Sequence, residues 1–128
     1  MEKRTVGVVL VDACVLIEIL RGKNNLLDKI SDKDFAINSI VYMELIQGAK
    51  NKQGVTKLEK FLKNFDLIHI DEKISEKAMK LIKTYSKSHS LIIADAIIAA
   101  TCLEKDIELL TLNLKDFRFI TGLKIYIP

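Results

Sequence analysis

The chain has 128 residues, of which 49% are hydrophobic and 29% charged, the composition of one ordinary globular domain rather than a disordered, fibrous or two-domain protein. Its 20 basic residues, 17 of them Lys, exceed its 17 acidic ones by three, a balance that tolerates an anionic partner without requiring one. Cys14, Cys102, His69 and His89 are too scattered for a zinc finger, and no apolar run is long enough for a membrane span.

Strand and helix signals alternate from end to end, with no Ser/Pro-rich linker or repeat, so residues 1–128 read as a single domain. Residues 6–11 read as a strand buried on both faces, and residues 13–20 as a helix stopped by Gly22. The basic, then apolar, start is interrupted by Asp12 and Glu18 before a secretion signal is complete. A short helix is expected over residues 26–30 and a second strand over 35–38, with Ser39 capping a helix over 40–49 that ends beside Gly48. Residues 57–65 form a Lys-rich amphipathic helix, 67–70 a third strand, and 74–85 a helix with apolar positions three to four apart. Residues 91–103 are almost wholly apolar and too long for a strand, which predicts a central helix capped by Ser88 or Ser90. The last strands are expected over 108–112 and 124–127. Such alternation implies an α/β fold with a mostly parallel sheet and helices on both faces, and ligands bind such sheets beyond the carboxyl ends of the strands.

Three acids stand where acids are costly. Asp12 follows the first strand, Glu44 lies within the apolar residues 40–46, and Asp95 within 91–98. A carboxylate in such surroundings is raised in pKa unless donors or cations compensate. A helix cap or a lone hydrogen-bonded acid could explain each singly. Taken together, the ends of parallel strands and the helices after them converge on one sheet edge, where Asn113 and Asp116 would join them. No Lys or Arg lies beside Asp12, Glu44 or Asp95 in sequence. A hard divalent cation held by oxygen ligands and retained waters would neutralise the cluster, which suits Mg²⁺ or Mn²⁺ better than zinc and predicts metal-assisted phosphodiester hydrolysis.

These residues resemble the PIN-domain ribonucleases, and within them the VapC-type toxins of toxin–antitoxin pairs. The matching segments are residues 9–22 around Asp12, 38–49 around Glu44, 94–101 around Asp95, and 110–117, which carries Thr-Leu-Asn113-Leu-Lys-Asp116-Phe117. They occur in family order and cover essentially the whole chain. The resemblance implies a PIN-like three-layer α/β/α sandwich with a mostly parallel central sheet. It also implies a Mg²⁺- or Mn²⁺-dependent endoribonuclease whose catalytic and metal-holding acids are Asp12, Glu44, Asp95 and Asp116, supported by Ser39 and Asn113. An RNA substrate, a small antitoxin protein and a homodimer come with it, while Cys14 and Cys102, inside apolar runs, read as buried reduced thiols and imply a reducing, cytoplasmic setting. Ala13 and Cys14 stand where such sequences usually carry hydroxyl or amide side chains, and Leu112 where a basic residue is common. The expectation is that hydrogen bonds around the first acid are lost.

A phospho-receiver domain needs an adjacent acidic pair and an aspartyl-phosphate hydrolase a second Asp two positions on, where Ala13 and Cys14 stand. Two alternatives remain open: an RNA-processing PIN nuclease without an antitoxin, and a catalytically weak PIN domain that binds RNA or a partner. For the latter, Lys50, Lys52, Lys57, Lys60 and Lys63 could contact phosphate, though aromatic residues are not interleaved there as a base-stacking platform.

Overall fold

Four consecutive apolar residues, Val8–Val11, form β1, and all four are buried. A strand covered on both faces belongs in the middle of a parallel sheet, and β1 lies there. It pairs in parallel with β2 (Asp34–Asn38), Val9 opposite Phe35, and on its other side with β4 (Glu108–Leu110), Val9 opposite Glu108. A short edge strand, β3 (Asp66–Ile68), joins β2 in parallel, which completes the order β3-β2-β1-β4. The computed structural model describes residues 7–23 and 33–128; the helix expected over 26–30 lies outside the described residues.

Parallel neighbours need crossovers, and these carry the helices α1 (Ala13–Leu20), α2 (Ser39–Gln47), α3 (Lys52–Leu62), α4 (Glu72–His89) and α5 (Ile93–Lys105). The chain runs outward from β1 through β2 to β3, then returns across the sheet through α4 and α5 to β4 on the far side of β1. Right-handed crossovers place the outward and return helices on opposite faces. Accordingly α1 packs on α2 and α2 on α3, while α4 packs on α5. The strand order reverses between β1 and β4, and a cleft opens outside the carboxyl ends of strands at such a point.

Several expected boundaries shift, each for a local reason. Asn38, rather than Ser39, caps α2, its side chain accepting from the Val41 N–H at 3.0 Å. The third helix starts earlier than residue 57 because Asn51 accepts from the Gly54 N–H at 2.8 Å. Asp71 does the same for α4, accepting from Ile74 at 2.9 Å, so α4 begins before residue 74. At its other end α4 runs on to His89 and closes on Ser90, which adopts a left-handed backbone with φ 58°. Ser90 therefore ends one helix instead of opening the next, and α5 begins with no side-chain cap. The strand expected over 124–127 reduces to a single parallel bridge, Leu109 opposite Ile125. Among the described residues, no helix is long and apolar enough to cross a membrane.

Candidate active site

Asp12 leaves β1 at its carboxyl end and opens α1. Its Oδ1 accepts from the Ala13 N–H at 2.8 Å, and its Oδ2 accepts from the Thr111 hydroxyl at 2.8 Å and the Cys14 thiol at 3.3 Å. With only 6% of its surface exposed, Asp12 depends on these donors to offset the loss of water. Thr111 follows β4, the neighbouring strand, so a bond between residues 99 apart in sequence closes the cleft at the strand-order reversal. Thr111 in turn accepts from the Asn113 N–H at 3.1 Å, and the Cys14 sulfur accepts from the Leu112 N–H at 3.4 Å. Burial, followed by the Asp12 charge, pushes the Cys14 thiol up, against the pull of the Leu112 N–H. It therefore stays protonated and able to donate.

The expected loss of hydrogen bonds around the first acid is thus corrected. Cys14 supplies one donor, weaker than a hydroxyl, and Thr111 supplies another from the end of the neighbouring strand. Leu112 contributes only its backbone N–H.

Asp95 occupies the first turn of α5 and is half-buried. Burial pushes its carboxyl up to about 6, and the charges of Asp12, Asp116 and Glu44 push it the same way. Asp95 therefore feels the other three acids singled out in the sequence. Glu44 projects from the exposed side of α2, and its carboxyl too is raised by partial burial and by Asp12. Asp116 closes a 3-10 turn, Leu114–Asp116, just beyond β4.

The Ser39 hydroxyl donates to the Ile68 carbonyl at a long 3.5 Å, and Asn113 acts through its backbone N–H on Thr111.

Sequence reasoning passed over a buried polar link beneath the site. The Asn38 amide donates to the Thr101 hydroxyl at 3.0 Å, and Thr101 donates to the Ile97 carbonyl at 2.7 Å. Both side chains are fully buried, and the bond ties the start of the Glu44 helix to the middle of the Asp95 helix. The signal was present: Thr101 and Thr111, like the three acids, are polar residues set in apolar runs.

Among the described residues, no three His, Cys, Asp or Glu side chains converge tightly enough to hold a metal ion as they stand. The ion pairs Lys105–Asp71 and Lys124–Asp106 both lie outside the four acids. What the cleft presents is carboxylate oxygen, with Asp95 and Glu44 raised first by burial and then by neighbouring carboxylates. A small hard cation that keeps most of its waters suits this arrangement better than one needing a complete protein cage.

The PIN domain profile matches residues 9–121. The chain is 32% identical to "Ribonuclease VapC10" of Mycobacterium tuberculosis over 121 residues, covering 91% of this chain and 90% of that one. It is 34% identical to "Ribonuclease VapC1" of Methanocaldococcus jannaschii over 121 residues, covering 92% and 86%. Among solved structures it resembles a toxin–antitoxin complex from Klebsiella pneumoniae, with TM-score 0.75, 31% identity, and coverage of 90% and 94%. It also resembles VapBC2 from Rickettsia felis bound to a DNA fragment from its promoter, with TM-score 0.79, 25% identity, and coverage of 93% and 97%.

Proposed function

The chain belongs to the PIN-domain family, and from that premise we propose that it is an endoribonuclease toxin of the VapC type, dependent on Mg²⁺ or Mn²⁺ and restrained by a small antitoxin protein. The observation that carries the reading is the Asp95 carboxyl, pushed up to about 6 by burial and three other carboxylates. A half-buried carboxyl faced by three other carboxylates carries an electrostatic cost that a divalent cation relieves.

Asp12, Glu44, Asp95 and Asp116 would hold the cation. When bound, it supplies positive charge to the scissile phosphodiester and lowers the pKa of water. The chain's own residues divide the remaining work. Thr111, Cys14 and the Ala13 N–H fix both oxygens of Asp12. Asp95 carries a proton part of the time near pH 6 and gives it up as positive charge enters the cleft. The Asn38–Thr101 link sets the spacing between the helices that carry Glu44 and Asp95.

Residues 1–128 act as one domain in this reading. The free thiols Cys14 and Cys102 support a reducing, cytoplasmic setting. Self-association would use the apolar face of α4 and α5, where Met79 is 65% and Ile93 70% exposed; light scattering at micromolar concentration should find a dimer, and a monomer would remove this element.

The test is expression of the chain with and without any small protein encoded beside it. Growth arrest relieved by that neighbour is expected. Arrest without relief points to an antitoxin-independent nuclease, and absence of both arrest and RNA cleavage overturns the reading.

A further inference from the structure

Away from the carboxylates, at the end of α4, three rings from distant parts of the chain pack together. His89 lies flat on Phe119, with ring centroids 4.3 Å apart and planes 12° from parallel. Tyr85 meets both edge-on, at 5.6 Å from His89 and 5.1 Å from Phe119. The Tyr85 hydroxyl donates to Thr121 Oγ1 at 3.3 Å and accepts from the Thr121 N–H at 3.2 Å, fastening the loop that carries Phe119 to α4. His89 Nδ1 shares a 2.7 Å hydrogen bond with the Ser88 hydroxyl, which fixes the ring further. Tyr85 and Phe119 are half-buried, whereas His89 is exposed. One face of the imidazole rests on Phe119, and the residue remains exposed to solvent.

The position of this stack gives it meaning. His89 is six residues before Asp95, and Phe119 is three residues after Asp116, so both chain segments that leave the rings lead into the acidic cleft. At 3.8 Å per residue, the Phe119 backbone is within about 11 Å of that of Asp116, a separation that a nucleotide or two of extended RNA can bridge. Lys87, Lys115 and Arg118 are exposed on the same segments and supply cations for the backbone phosphates between.

We propose that His89, seated on Phe119 and steadied by Tyr85, is a stacking platform for an unpaired nucleobase of the RNA whose phosphodiester enters the carboxylate cleft. This rests on the nuclease reading and deepens it at one position: an unpaired base is held there by a π face, which tolerates any base identity. A flat, exposed ring held in place by its neighbours suits that task, since base stacking on an aromatic side chain needs no hydrogen-bond code. The platform is invisible in the sequence because its rings are separated by up to 34 residues and meet only when the loop after the 3-10 turn folds back on α4.

The chain contains no Trp, so His89→Trp places a single fluorescent reporter on the platform. A phosphorothioate-stabilised single-stranded RNA added with Mg²⁺ should quench it with a Kd near the KM of the unmodified RNA, while duplex RNA should not. In cleavage assays His89→Ala should raise KM about tenfold with kcat within twofold, and His89→Phe should restore most of the loss. If His89→Ala changes the melting temperature but not KM, or if His89→Phe is as impaired as His89→Ala, the rings only fasten the loop and the proposal is overturned. Equal quenching by duplex RNA overturns it too. If the wild-type chain does not cleave RNA, the nuclease reading fails, and the quenching experiment decides RNA stacking independently.

Discussion

Asp12 and Asp95 are the same residue type at two sides of one cleft, and the fold treats them in opposite ways. Asp12 is almost completely buried, yet both its oxygens are held by donors, from α1 and from the residue after β4. Asp95 is less buried, but no hydrogen bond reaches it among the described residues, and burial together with three neighbouring carboxylates pushes it up to about 6. A buried carboxylate is thus compatible with stability when its lone pairs are met, and a half-buried one is costly when only other negative charges face it. Asp12 is part of the scaffold as well as of the site. Asp95 is the position where the site costs stability.

That contrast can be broken by substitution, and the largest effect is expected at Asp12. The sequence suggests that removing the charge at either acid relieves repulsion and leaves the fold intact or firmer. The hydrogen bonds separate the two cases. Asp12→Asn presents an amide NH₂ to groups that donate to the carboxylate, and should destabilise the metal-free protein by about 2 kcal/mol in urea unfolding. Unchanged or increased stability would mean that the three donors contribute little. Thr111→Val should come next, losing about 1.5 kcal/mol and weakening Mg²⁺ or Mn²⁺ affinity about tenfold, because it removes a group that orients Asp12. A calorimetric titration showing wild-type affinity would assign Thr111 to the fold alone.

At Asp95 the sign reverses. Its carboxyl in the folded chain titrates at about 6, above the ordinary ~4 of an unfolded Asp. The folded state binds the proton more tightly, so the penalty is absent below about pH 4, grows as pH rises, and is complete above about pH 6. Glu44, also raised, acts in the same direction. Asp95→Asn should therefore be more stable than wild type at pH 7.5, by about 1 kcal/mol once solvent screening at a half-buried site is allowed for. The two proteins should converge toward pH 4; a difference independent of pH would remove the electrostatic cause. The smallest effect is expected at Ser39, whose hydroxyl makes only a 3.5 Å contact to the Ile68 carbonyl. Ser39→Ala should change stability by less than ~0.5 kcal/mol and cleavage by less than twofold.

The parallel sheet was legible because a strand covered on both faces must be apolar throughout, and residues 8–11 are. Asp12, Glu44 and Asp95 are legible because charge inside an apolar run demands compensation, whereas Asp116 is suggested only by its place just past a strand and by the family resemblance. Helix starts were misread at Ser39 and Ser90 because several residues there could cap, and only the backbone decides which one does: Asn38 takes the position before α2, and Ser90 turns left-handed to end α4. Thr111 and the Asn38–Thr101 pair are not legible in the sequence because a neutral polar residue in an apolar run needs only one hydrogen bond, which a local backbone group can supply. The bond from Thr111 to Asp12 also needs β4 beside β1, a pairing that spacing alone does not supply.

The most direct measurement is cleavage of a fluorescent single-stranded RNA by the purified chain, with Mg²⁺ or Mn²⁺ and with chelator, for wild type and Asp95→Asn side by side. Cleavage by wild type only when the divalent cation is present, and its loss by ~10²-fold or more in a variant that is folded and more stable at pH 7.5, is the expected result. Cleavage that persists in chelator, or that Asp95→Asn performs at the wild-type rate, would contradict a cation-dependent nuclease site at the four acids.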